Sequence, residues 1–108
     1  MSKGTHLGDL EELVLLSVLR LGEDAHGGGV REQLVENANR SVSISTVYVT
    51  LMRLEEKGYL HSWKGEPGAS RGGKAKRFFE LRPAGIEALE STRAVRDRMW
   101  EGVEARVR

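Results

Sequence analysis

The stretch Ser43-Ile44-Ser45-Thr46-Val47-Tyr48-Val49-Thr50-Leu51-Met52-Arg53-Leu54-Glu55-Glu56-Lys57-Gly58 spells an amphipathic helix with a start and a stop. Ser41 or Ser43 supplies the cap, accepting a hydrogen bond from a free backbone N–H, and Gly58 ends the helix. Ile44, Val47, Leu51 and Leu54 fall in one narrow arc at helical pitch and are expected to face a core. Ser45, Val49, Met52 and Arg53 point roughly the other way. A helix in a DNA major groove needs such groups. Hydroxyls and Arg bond base edges and phosphates, and an apolar side chain can meet a thymine methyl. An ordinary amphipathic helix with a solvated face shows the same pattern, so the flanking sequence has to decide.

Downstream, the period changes to two. Tyr59 to Lys64 and Lys76 to Leu81 are expected to be strands, with turn-forming Gly65 to Gly73 between them. Lys64, Arg71, Lys74, Lys76 and Arg77 gather around this glycine-rich loop, opposed there only by Glu66. Such a hairpin can follow phosphates or enter a minor groove. Exposed hairpins also carry Lys to block edge pairing, but five basic groups exceed that need. The expected DNA surface is therefore Ser43, Ser45, Thr46, Tyr48, Val49 and Arg53 with these five basic residues.

Upstream, Leu7 to Leu21 has helical spacing, is apolar nearly all round, and stops at Gly22. A turn at Glu23 to His26 precedes a second helix, with Val30, Leu34 and Val35 toward the core and an end near Asn37 to Asn39. After the hairpin, Pro83 opens a last helix. Its apolar residues are Ile86, Leu89, Val95, Met99, Trp100, Val103 and Val107. The fold class is mainly α with a small β-hairpin. Residues 1–82 form a winged helix-turn-helix and 83–108 a C-terminal dimerisation helix, in one compact unit.

Composition agrees and excludes much else. A chain of 108 residues, 39% hydrophobic, holds a single small core. It has no cysteine, which removes disulfides, thiolate metal sites and cysteine nucleophiles. The longest apolar run, Leu13 to Leu16, is too short to span a bilayer, so a soluble, cytoplasmic protein without membrane partners is expected. The net charge of +1 is uneven: residues 1–36 carry 3 basic and 7 acidic side chains, residues 37–82 carry 9 and 4, and residues 83–108 carry 5 of each. A basic middle suits a one-sided polyanion surface.

Gly68, Gly73 and Lys74 have the spacing of a nucleotide-phosphate loop, but Ala75 lacks the hydroxyl that holds magnesium and a strand follows instead of a helix. His6, His26 and His61 have no i, i+4 partner, and no nucleophile elbow is present. No enzyme, metal site or cofactor is expected. Trp100 has two readings: a dimer-packing residue, or a flat wall for an aromatic ligand at the subunit interface.

His26 to Val30, Ser43 to Leu60 and Gly72 to Gly85 resemble the PadR family of transcriptional regulators. The shared pattern is Thr-x-Tyr-x-x-Leu-x-Arg-Leu-Glu-x-x-Gly, and the likeness extends over about residues 7–108. The resemblance implies a homodimeric repressor joined through its first and last helices, of the short-tailed branch with one final helix. It places DNA reading on Ser45, Thr46, Tyr48 and Val49, wing contacts on Lys74, Lys76 and Arg77, and allows a phenolic or planar aromatic effector. Gly28 stands where an aromatic is common, Val49 where Pro is frequent, and Arg82 where Thr usually caps the last helix. The expected function is a dimeric regulator on a near-palindromic site in double-stranded DNA. The alternatives are a ligand-sensing module with a pocket near Trp100, or a winged helix that binds protein and not DNA.

Overall fold

The computed structural model describes residues 7–66 and 76–107. Arg71 and Lys74 of the expected wing, and Gly68, Gly73 and Lys74 of the phosphate-loop spacing, lie outside the described residues.

Helix α1 spans Asp9–Leu21, with Asp9, Glu11 and Glu12 in its first turn and Arg20 in its last, each complementing the helix dipole. Gly22 ends it at φ 60, a left-handed value that costs glycine least, and a 3₁₀ turn runs over Gly22–Asp24. Helix α2 spans Gly27–Ala38; its N-cap is His26, whose Nδ1 accepts from the Gly29 N–H at 3.3 Å. Arg31 Nε donates to the Val42 carbonyl at 2.9 Å and fixes the turn into α3, which spans Ile44–Glu56.

Strands β1 (Leu60–Lys64) and β2 (Arg77–Leu81) pair antiparallel, from Leu60 opposite Leu81 to Lys64 opposite Arg77. The inner strand is tied back to the helices. The Phe79 N–H donates to the Ala25 carbonyl at 2.9 Å, and His26 bridges Phe78 across an antiparallel contact. The core forms where these elements meet: Val14, Leu15, Val30, Leu34, Val47, Leu51, Leu54, Leu60 and Phe79 are fully buried.

Helix α4 spans Pro83–Trp100 and buries only Gly85, Ala88 and Leu89. Its entry is close-packed, since a Cβ on Gly85 would stand 2.4 Å from the Tyr59 carbonyl oxygen. Arg82 is the N-cap and makes no side-chain cap bond, as expected where Thr is missing. The rest of α4 reaches away from the core, held by Arg96 near Asp9 (3.4 Å) and Glu12 (3.6 Å).

Three expectations are corrected. Val35 and Ile44 are exposed rather than on the core side, because among the described residues no element covers those flanks of α2 and α3. The last helix ends at Trp100, short of Val103 and Val107, where Gly102 takes φ 78 before a 3₁₀ turn at Glu104–Arg106.

One ion pair joins the start of α1 to the end of α3. Glu11 Oε2 lies 2.8 Å from Lys57 Nζ, while Oε1 accepts from the Gly8 N–H at 2.9 Å. Burial alone would raise the Glu11 carboxyl. The hydrogen bonds from Lys57 and Gly8, with the charges of Lys57 and Arg53, outweigh it and hold the group below its ordinary value of 4.5. A depressed folded pKa stabilises the fold above the unfolded value, and that contribution is lost as pH falls through the lower folded value. Glu11→Gln is therefore expected to lower the urea midpoint at neutral pH and to flatten its fall below about pH 4.5. An equally steep acid limb in the variant contradicts the assignment.

Candidate nucleic-acid interface

Ser43 is the N-cap of α3. Its hydroxyl accepts from the Thr46 N–H at 3.1 Å and donates to Thr46 Oγ1 at 3.0 Å, so the geometry gives it a capping role. Ser45, Thr46, Val49 and Arg53 are exposed along the helix. Tyr48 is partly anchored. A Cβ on Gly27 would meet its ring carbon Cζ at 2.4 Å and its hydroxyl at 2.6 Å, so the first residue of α2 must be small for the tyrosine to lie there. Gly28, the next residue, is exposed.

Lys64 and Lys76 are exposed at the open end of the hairpin, beside the loop. Among the described residues neither they nor Arg53 is ion-paired. Arg77 differs from them. It is half-buried, and its Nη1 donates to Ser62 Oγ at 2.8 Å. Ser62 Oγ in turn donates to the Glu55 carboxylate at 2.9 and 3.0 Å. This chain of contacts ties the hairpin to the last turns of α3. Charge counting did not reveal it, because sequence shows Arg77 as one more cation.

Together these features make an exposed helix face of hydroxyl, apolar and guanidinium groups beside a hairpin end carrying exposed ammonium groups. Such a surface can meet a polyanion with edges to read. Met52, absent from the expected contact residues, is exposed between Tyr48, Val49 and Arg53. Its position one turn beyond Val49 was the available signal.

Trp100 is elsewhere. It lines an open groove of about 520 Å³ with Leu7, Thr92, Val95, Arg96 and Met99, and none of the α3 residues belongs to it. Among the described residues no group of three His, Asp or Glu is placed to hold a metal, and no helix is long and apolar enough to cross a membrane.

The sequence model of the Transcriptional regulator PadR-like family matches residues 15–91. Three solved structures are similar. A PadR family transcription regulator from Clostridium difficile is 22% identical at TM-score 0.67, over 91% of this chain and 98% of that one. A PadR family transcriptional regulator from Eggerthella lenta is 25% identical at TM-score 0.66, over 88% of this chain and 82% of that one. PadR of Bacillus subtilis, in complex with operator DNA, is 21% identical at TM-score 0.63, over 77% of this chain and 46% of that one. Comparison with curated proteins gives no match.

Proposed function

Because the chain belongs to the PadR-like family of transcriptional regulators, we propose that it acts as a homodimeric repressor reading a near-palindromic DNA site. The observation that carries this reading is the outward face of α3, set beside the exposed ammonium groups of Lys64 and Lys76, which have no ion-pair partner among the described residues. Ser45, Thr46, Tyr48, Val49 and Arg53 meet the major groove, while Lys64 and Lys76, with Arg71 and Lys74, take phosphates. Ser43 and Arg77 serve by orientation, the first fixing the start of α3 and the second holding the hairpin to it. Residues 1–82 are the reading unit. Residues 83–108 join two copies, since the exposed Val95, Met99 and Trp100 on α4 and Leu16 and Leu19 on α1 leave apolar surface that a second subunit would cover.

Salt dependence tests the wing. Lys64→Ala with Lys76→Ala is expected to weaken specific and unselected duplexes alike, because phosphate contacts carry little sequence information. The slope of log affinity against log salt should shrink by up to about 0.9 per contact removed. An unchanged slope in fluorescence anisotropy titrations would return both lysines to a solvent role.

The Trp100 groove favours a second, compatible reading, in which a planar aromatic effector enters there and relieves repression. Saturable quenching of Trp100 fluorescence, lost in Trp100→Ala while the dimer survives, supports it. Dissociation of that variant into monomers assigns Trp100 to packing.

A further inference from the structure

The outward face of α3 is unusual in what it lacks. At 3.6 residues per turn, Ser45, Val49, Met52 and Glu56 lie opposite the buried Val47, Leu51 and Leu54. The centre of that face is apolar, with Val49 55% and Met52 53% exposed. With Tyr48, Arg53 and Glu56 they line a shallow depression of about 380 Å³. The Tyr48 ring, seated over Gly27, forms one fixed wall of it.

Polar base readers are scarce here. Adenine is read by Asn or Gln and guanine by Arg or Lys. Helix α3 contains no Asn, Gln or Lys, and its one Arg, Arg53, stands in the last turn. Some of the hydroxyls are engaged within the helix as well. Ser43 is used in the cap, Thr46 Oγ1 accepts from Ser43, and Thr50 Oγ1 donates to the Thr46 carbonyl at 2.8 Å. Ser45, at the start of the face, and the Tyr48 hydroxyl, at its edge, make no hydrogen bond among the described residues, and neither stands at the centre of the face. At its far end Glu56 adds a negative charge, which disfavours pressing that end of the helix closely against the duplex.

One base presents an apolar group in the major groove: thymine, through its C5-methyl. On the DNA reading above, we infer that α3 identifies its site chiefly by thymine methyl groups, received by Val49 and Met52 against the wall of Tyr48. Three residues of helix rise about 4.5 Å, close to the roughly 3.4 Å between stacked bases. Val49 and Met52 therefore reach methyls on neighbouring base pairs. Each half-site carries at least two thymines in those positions, and Val49 and Met52 set the specificity.

The test uses the full chain and a duplex enriched from a random pool, with deoxyuridine replacing thymidine. Uracil pairs as thymine does but lacks the methyl. Each contacted methyl removed is expected to weaken binding about fourfold, the equivalent of one buried methylene, while an unselected duplex is unaffected. A Val49→Ser, Met52→Gln double variant, altered only at exposed positions, should remain folded and bind both forms alike. Equal binding of thymidine and deoxyuridine duplexes by the parent protein overturns methyl readout. A difference that persists in the double variant overturns the assignment to Val49 and Met52. Failure to prefer the selected duplex over an unselected one overturns the DNA reading itself.

Discussion

Replacing Met99 and Trp100 together with glutamate is expected to yield monomers and to weaken operator binding by about 10²–10⁴-fold, the usual gain from linking two modules. The expectation starts from the mismatch between the two halves of α4. Its first turns carry the buried Gly85, Ala88 and Leu89, whereas Val95, Met99 and Trp100 beyond them lie exposed. Met99 is 74% exposed. An apolar stripe at i, i+4 and i+5 on an extended helix gains nothing from water, and burial against a second subunit stabilises it by about 25 cal/mol per Å² covered. Two carboxylates placed there would have to be desolvated on association, which burial cannot offset. One subunit then holds one half-site alone. Sedimentation reads the mass and anisotropy the affinity, and truncation before Arg93 should act in the same direction. A charged variant that sediments as a dimer contradicts the α1 and α4 interface.

The second large effect lies in the core. Phe79→Ala is expected to destabilise the protein by about 3–5 kcal/mol, the range for a buried aromatic lost from a packed site. Phe79 is the largest of the fully buried side chains, and its N–H is bonded to the Ala25 carbonyl. It therefore seats the hairpin against α1 and the start of α2. A domain of this size has about 5–15 kcal/mol in total, so the loss is a large share. Urea unfolding with an unchanged m-value and a much lower midpoint is the expected result. A loss under about 1 kcal/mol would contradict this packing, because cavity formation at such a site costs more.

What the sequence displayed follows from how local each signal is. The cap of α3 and the stops at Gly22 and Gly58 depend on backbone geometry within a few residues; both stops stand where the sequence places them, and of the two cap candidates, Ser41 and Ser43, the structure uses Ser43. The strand alternation around Phe79 was equally legible. Periodicity, however, says which side of a helix is apolar, not whether anything covers it. Val35 and Ile44 obey the helical pattern and remain exposed because α2 and α3 have open flanks there. Val103 and Val107 continue the apolar spacing of α4, but Gly102 turns the chain before they can join it. At the candidate interface, the composition of the α3 face was readable from spacing alone. The Arg77–Ser62–Glu55 chain was not, since it depends on strand register and on residues 22 apart in sequence. Met52 lay on the right arc, yet a methionine announces a base contact far less plainly than an Arg or a Thr.

Selection of bound duplexes from a random pool by the purified protein tests the central claim most directly. The predicted outcome is a near-palindrome with half-sites about one helical turn (~34 Å) apart, one for each copy of α3, with thymines at the positions facing Val49 and Met52. A pool that remains random after repeated rounds, or an enriched site without two-fold symmetry, would contradict it.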